Sequence, residues 1–315
     1  MSGVRSRLGA TTGQLAADSA AGPTCGPASV TAAWILVALI SAAPAIVWSE
    51  LAGALPPWLV VAQLGVLAVA LLGSLVWDVL QSLRRFLIAM LALLALLQLP
   101  PRIDVSWLPL QALFGATGFD ARMQAEQTEK VLVTAAMLLV LWLLGFRRRA
   151  FFFAVGDLRA PLRPVRLLGF PHPVPWWRFG LLWGLCIAGG LAVVFLLVGP
   201  VSVGALVGIG PMLPSIVLYA GLNAFNEEMT YRAPMLATLE PVVGPSTALW
   251  QSASVFGIAH YFGIPGGLLG AASSIFLGWI LGKAMLETRG LFWSWWIHFL
   301  SDLVVFSFLA AGLTP

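Results

Sequence analysis

Six ionisable side chains in the C-terminal part of the chain have the types and spacing of a candidate catalytic site. They lie in or beside apolar stretches and are Glu227, Glu228, Arg232, His260, His298 and Asp302. A charged side chain at the centre of a membrane helix costs roughly 2.5 to 3.5 kcal/mol. A position at the end of a membrane helix would cost less, and this alternative stays open for the two glutamates. Since the six groups share the last four apolar stretches, one common site explains them better than separate structural bonds.

Helical spacing pairs these side chains. Three pairs are four residues apart: Glu228 with Arg232, Phe256 with His260, and His298 with Asp302. Residues at this spacing share a helix face, so Glu228 and Arg232 are predicted to form an ion pair. Glu227 is rotated by about 100° from that pair and points elsewhere. An isolated histidine in a membrane helix also serves as a helix-to-helix hydrogen bond, which is the alternative for each histidine taken alone.

The chemistry that such a set supports is the activation of water. A carboxylate close to a histidine can take a proton from water, and a second histidine can stabilise the oxyanion on an attacked carbonyl. These steps amount to peptide hydrolysis within a membrane. The same groups could instead hold zinc, with Glu227, His260 and His298 as ligands, although the sequence has no HExxH motif. A proton relay in a transporter is a third use of the same residues.

The composition is that of a polytopic membrane protein. Hydrophobic residues make up 60% of the chain and charged residues 10%, and the mean hydropathy is +0.94. Soluble domains carry roughly 25% charged residues. The arginines behind the net charge of +4 lie in short segments beside apolar runs, which indicates cytoplasmic connections and not nucleic-acid binding. Cys25 and Cys186 have no paired spacing, so neither a disulfide framework nor a thiolate metal site is predicted.

The apolar stretches predict an all-α fold with eight or nine transmembrane helices. They are residues 30–51, 58–77, 86–99, 131–146, 179–199, 201–225, 246–264, 268–286 and 291–313. Residues 101–130 mix charged and apolar positions, which suits an outside loop with an interfacial helix. With a cytoplasmic N-terminus, the arginines at 84–85 and 147–149 all fall on the cytoplasmic side, as the positive-inside rule requires.

Charge and polarity divide the chain into four parts. Residues 1–29 are predicted to be a disordered polar tail and residues 30–146 the N-terminal transmembrane helices. Residues 147–178 are predicted to be a basic cytoplasmic linker, followed by a C-terminal membrane half at 179–315. A transporter would show interrupted helices in two matching halves, whereas the charged cluster lies in the C-terminal half alone.

Three motifs in this half resemble a family of membrane proteases. EEMTYR at 227–232 fits the motif EExxxR, FGIAH at 256–260 fits FxxxH, and HFLSD at 298–302 fits HxxxN/D. These are the motifs, in the same order, of the CAAX-protease and bacteriocin-processing family, called CPBP or Abi. The resemblance covers about residues 201–313 and implies a C-terminal four-helix catalytic core. It also implies an intramembrane endopeptidase of the glutamate type, similar to the CAAX prenyl proteases of eukaryotes.

The resemblance implies a role for each motif residue. Glu227 and His260 would activate the water, and His298 with Asp302 would form the side that stabilises the oxyanion. Supporting roles would fall to Glu228, Arg232 and Phe256. The family often has asparagine where this chain has Asp302, and an ionised aspartate accepts but cannot donate a hydrogen bond. Orienting His298 is therefore the role expected of Asp302.

The expected activity is cleavage near the terminus of a membrane-associated protein or peptide that is lipidated or C-terminally anchored. No cofactor is expected, with zinc as the alternative stated above. The expected partners are the substrate and the lipid bilayer, without nucleic acid, and the expected location is the inner or cytoplasmic membrane. Two other classes of protein stay open, a transporter with a buried proton relay and a catalytically silent scaffold of the same family.

Overall fold

The computed structural model describes residues 26–99, 118–198 and 201–312, and within these ranges the chain is built from helices. The N-terminal helices are α1 (Pro27–Ile40), α2 (Ala43–Ala52), α3 (Trp58–Gly73), α4 (Asp78–Gln81), α5 (Arg84–Leu96) and α6 (Gly118–Leu143). The C-terminal helices are α7 (Trp176–Val198), α8 (Val203–Gly208), α9 (Leu213–Glu227), α10 (Ala233–Val243), α11 (Pro245–Ala259), α12 (Gly267–Thr288) and α13 (Phe292–Ala310). The prediction of an all-α membrane protein is confirmed.

Fewer helices than predicted are long and apolar enough to cross a membrane. Among the described residues, three helices meet these criteria, namely α7, α12 and α13, and α1 with α2 adds a fourth if this pair, bent by 47°, counts as one span. The predicted number of eight or nine is not confirmed. Helices α3 and α11 are short, with 16 and 15 residues, and α9 continues into the charged motif. Some of the apolar stretches that were predicted to be transmembrane helices therefore fold as shorter or interrupted helices.

Two predicted boundaries are wrong. Helix α6 begins at Gly118, so residues 118–130 form the first half of a long helix and not a separate loop with an interfacial helix. Their polar side chains pack against α9, as described below, which is why charge alone misplaced them. Helix α1 begins at Pro27, a residue suited to a first helical turn, so residues 27–29 do not belong to the tail. Residues 1–25 and 100–117 lie outside the described ranges.

The basic linker is attached to the turn between α12 and α13. The backbone N–H of Asp157 donates to the Thr288 carbonyl at 2.8 Å, and that of Leu291 donates to Ala154 at 2.8 Å. Gly156 and Gly290 make close backbone contact, because a Cβ on Gly156 would lie 2.8 Å from the Gly290 Cα. The linker therefore fixes the start of α13, the helix that carries His298 and Asp302.

Helices α11 and α12 also approach closely, beside His260. A Cβ on Gly257 would lie 2.5 Å from the backbone nitrogen of Ile275 and 2.7 Å from its Cα. These are backbone atoms and cannot rotate away, so glycine is required at this helix crossing.

We expect Gly257→Ala to separate α11 from α12 and to lower the free energy of unfolding by about 1 to 3 kcal/mol, the usual range for overpacking. The measurement is denaturant titration of the purified protein in detergent. Gly189→Ala in α7 is the matched control, because a Cβ there meets no atom within 4 Å. Equal stabilities for the two variants would contradict the close crossing.

Candidate active site

A π-helical turn at residues 228–232 joins α9 to α10 and carries the first motif. Pro234 is the second residue after this turn. A proline inside an α-helix has no N–H to donate, and its ring clashes with the carbonyl four residues earlier, here that of Thr230. The wider turn relieves this clash without ending the helix. Such π turns occur frequently at functional sites.

Glu228 is fully buried and is the centre of a hydrogen-bond network. It accepts hydrogen bonds from the Arg232 guanidinium and the Ser294 hydroxyl, and the Glu228 Oε1 atom lies 2.8 Å from His298 Nδ1. The predicted ion pair between Glu228 and Arg232 is confirmed. Because an ionised carboxylate can only accept, His298 Nδ1 carries the proton of this bond. Glu228 therefore fixes the imidazole ring and turns its Nε2 atom toward the other carboxylates.

The Glu227 carboxylate has one anchored oxygen and one that faces His298. Its Oε1 atom accepts hydrogen bonds from Asn223 Nδ2 at 3.1 Å and from Lys130 Nζ at 3.2 Å. Its Oε2 atom lies 3.7 Å from His298 Nε2, and Asp302 Oδ2 lies 3.7 Å from the same nitrogen. These two distances exceed a direct hydrogen bond and suit a bridging water.

His260 packs against the ring of Phe256. The two rings are 4.4 Å apart, and the ring of His298 lies edge-on to Phe256 at 5.6 Å. The Arg232 guanidinium lies over the same Phe256 ring at 4.5 Å, within the range of a cation–π interaction. His260 Nδ1 lies 2.7 Å from the Phe256 carbonyl, which can only accept, so Nδ1 carries the proton and Nε2 is left as an acceptor.

The residues that the sequence analysis selected for the site lie close together in the structure. Glu227 Oε2 lies 3.7 Å from His298 Nε2, whereas the family resemblance implied that Glu227 acts with His260, which stays a prediction. Phe256, predicted as a supporting residue, contacts both histidines and Arg232. Asp302 Oδ2 lies 3.7 Å from His298 Nε2, and the expected role of Asp302 in orienting His298 stays a prediction.

Two cavities lie beside these residues and have no lining residue in common. A cavity of about 360 Å³ is lined by His260, His298 and Asp302 together with apolar side chains of α7 and α12. A smaller cavity of about 200 Å³ is lined by Glu227, by Lys130 and Glu129 of α6, and by neighbouring side chains. The pair of Glu227 and His298 lies between the apolar and the polar cavity.

Sequence reasoning missed three residues that contact the site. Ser294 hydrogen-bonds to Glu228, and Asn223 and Lys130 hydrogen-bond to Glu227. For Asn223 the signal was its position four residues before Glu227. For Lys130 it was the polar series of Gln127, Lys130 and Thr134, whose spacing of three and four residues marks one helix face.

The positions of the histidine and carboxylate side chains bear on the zinc alternative. Within the described ranges, no group of three or more histidine, cysteine, aspartate or glutamate side chains is placed to hold a metal ion. The zinc alternative stays a prediction, and no catalytic step is derived through it.

Comparison with known proteins locates the family resemblance on the chain. Residues 209–304 match the family model described as type II CAAX prenyl endopeptidase Rce1-like. This segment is under a third of the chain and includes all three motifs. No curated protein and no solved structure matches the chain. The predicted resemblance to the CPBP family is therefore confirmed, and residues 209–304 of this membrane protein carry the sequence pattern of Rce1-like proteases.

Proposed function

We propose that the protein is an intramembrane endopeptidase of the glutamate type that hydrolyses a peptide bond near the terminus of a membrane-associated protein or peptide. One observation carries the proposal. The paired glutamates, both histidines and Asp302 converge beside an apolar cavity, inside the segment that matches the protease family. The protein would act as a multi-pass protein of the cytoplasmic membrane, with its N-terminus on the cytoplasmic side.

The proposed reaction begins with a water molecule between Glu227 Oε2 and His298 Nε2. Glu227 takes a proton from this water, and the water oxygen forms a bond to the carbonyl carbon of the substrate. The electron pair of the carbonyl bond moves to its oxygen. His260 Nε2, the free acceptor of that ring, accepts a hydrogen bond from the same water and helps to hold it in place.

His298 stabilises the oxyanion in this proposal. Its Nε2 atom faces two carboxylate oxygens at 3.7 Å, an arrangement that favours a proton on that nitrogen. Because Glu228 already fixes Nδ1, the Nε2–H group points into the site without reorganisation. The electron pair of the oxyanion then re-forms the carbonyl bond as the carbon–nitrogen bond breaks. Glu227 returns its proton to the leaving nitrogen, which restores the carboxylate.

The apolar cavity is the proposed binding place for the lipid group or apolar segment of the substrate. Gly190 of α7 lines this cavity, and a Cβ there meets no atom within 4 Å. We expect Gly190→Phe to fill part of the cavity and to lower kcat/KM by about tenfold or more, mainly through KM. Gly189→Phe is the matched control, because Gly189 is equally open but does not line the cavity. Equal kinetics for the two variants would contradict this assignment of the cavity.

The proposed function is tested with the purified protein in detergent. A panel of lipidated and transmembrane peptides is incubated with the parent, His260→Ala and His298→Gln, with and without a zinc chelator, and the cleavage site is read by mass spectrometry. The proposal expects the parent to cleave one class of peptide, both variants to lose this cleavage, and the chelator to have no effect. Loss of cleavage on chelation with recovery on added zinc would overturn the glutamate mechanism. Full activity of both variants would overturn the assigned site.

A further inference from the structure

Lys130 belongs to α6, outside the segment that matches the protease family, yet its ammonium group contacts the proposed catalytic carboxylate. The Nζ atom lies 3.2 Å from Glu227 Oε1, 2.6 Å from Asn223 Oδ1 and 2.8 Å from Glu126 Oε1. An ammonium group has three protons to donate, and these three oxygens are three acceptors for them. The position of the charge is therefore fixed, although the side chain is 28% exposed.

The contact with Lys130 gives the two carboxylate oxygens of Glu227 different roles. Oε1 accepts from Lys130 and from Asn223, so its orientation is held by two donors. Oε2 is the oxygen that faces His298 Nε2 across 3.7 Å. Anchoring of Oε1 thus presents Oε2 to the water that the proposed reaction requires.

Lys130 also sets the orientation of the Asn223 amide. An ammonium group cannot accept a hydrogen bond, so the amide oxygen of Asn223 must face it. Gln127 Nε2 donates to the same oxygen at 3.1 Å. The amide nitrogen of Asn223 then faces the opposite way and donates to Glu227 Oε1 at 3.1 Å and to Asp302 Oδ2 at 3.0 Å. Lys130 therefore contributes to the placement of two carboxylates, directly for Glu227 and, together with Gln127, through Asn223 for Asp302.

Neighbouring residues hold α6 in the register that this contact needs. Thr134 Oγ1 donates to Asn226 Oδ1 at 3.1 Å and lies 2.8 Å from the Thr230 hydroxyl. Asn226 Nδ2 donates to Gln127 Oε1 at 3.4 Å. These contacts lie on both sides of Lys130 along the helix, so α6 cannot shift along α9 without breaking them.

We infer that Lys130 is a positioning residue for Glu227 and Asn223, and that helix α6 completes a site whose motifs all lie in the C-terminal half. The inference rests on the proposed function, since it assigns Glu227 the role of the base. It deepens that function by adding a residue from the N-terminal helices to the reaction.

The test compares Lys130→Met, Lys130→Arg and Lys130→Ala with the parent on a cleaved peptide. We expect Lys130→Met to lower kcat by about 10²-fold with KM unchanged, because a misplaced catalytic group slows the reaction without altering the apolar cavity. Lys130→Arg, which keeps the charge and donors, should recover most of the lost kcat. Ethylammonium should partly restore Lys130→Ala, because the removed side chain lines the cavity of about 200 Å³ beside Glu227.

Lys283→Met is the matched control. Lys283 is buried and forms an ion pair with a glutamate four residues later, Glu287, which belongs to the same helix α12. We expect this variant to lose stability while keeping the kcat of the parent. Parental kcat in Lys130→Met, or a loss that neither arginine nor ethylammonium relieves, would overturn the inference.

Glu227→Gln, measured alongside, separates this inference from the proposed function. If Glu227→Gln is inactive while Lys130→Met is fully active, the inference fails and the proposed base stands. If Glu227→Gln cleaves as well as the parent, the proposed base is wrong, and the positioning role of Lys130 fails with it.

Discussion

Replacing Glu227 by glutamine should lower kcat for peptide cleavage by about 10² to 10⁴-fold, the usual contribution of a general base. Glutamine keeps the size of the side chain and can still accept from Lys130 and Asn223 through its carbonyl oxygen. It cannot take a proton from water. Because the apolar cavity does not include Glu227, we expect KM to stay within about twofold of the parent.

The measurement is steady-state cleavage kinetics in detergent, with Glu129→Gln as the matched control. Glu129 lines the same polar cavity as Glu227, so its replacement changes the local charge equally. The proposed mechanism requires Glu129→Gln to keep most of the parental kcat. Similar losses in the two variants would indicate a general effect of charge and would contradict a specific base at Glu227.

Removing the partner of Glu228 should cause the largest loss of stability. Arg232 is 1% exposed and Glu228 is fully buried, so Arg232→Met removes the guanidinium partner of a buried carboxylate. Breaking one side of a buried ion pair costs about 3 to 5 kcal/mol. We expect a decrease of this size in the free energy of unfolding, measured by SDS titration in detergent micelles.

Arg289→Met provides the comparison for the buried pair. Arg289 forms an ion pair with Glu240 but is 62% exposed, and exposed pairs contribute about 0 to 1 kcal/mol. The double variant Glu228→Gln with Arg232→Met should lose less stability than Arg232→Met alone, because no buried charge is then left unpaired. Equal losses for Arg232→Met and Arg289→Met would show that burial of the first pair has no energetic consequence.

The parts of the site that could be predicted from the sequence are those within one helix. Helical spacing predicted that Glu228 pairs with Arg232 and that Phe256 shares a helix face with His260. The structure has both contacts. The π turn at 228–232 was not predicted, because hydrophobic and charged periodicity does not reveal one extra residue in a helical turn.

Contacts between helices that are distant in sequence were beyond prediction. Lys130 and Glu227 are 97 residues apart, and nothing in their local spacing indicates that α6 packs against α9. The charges of residues 118–130 were interpreted as contact with water, whereas several of them face other polar side chains inside the protein. The number of membrane spans was hard to predict for a related reason. An apolar stretch is expected to be buried, but its composition does not show whether lipid or the rest of the protein surrounds it.

The two cavities bear on how the reactants of the proposed hydrolysis meet. Apolar substrate would occupy the α7 and α12 side, while Glu227 is in contact with a separate polar space on the α6 side. In this proposal, a substrate in the apolar cavity does not block the polar cavity from which water reaches Glu227. In the proposed reaction, water and peptide would therefore reach the site through different cavities, water through the one beside α6 and peptide through the one lined by α7 and α12.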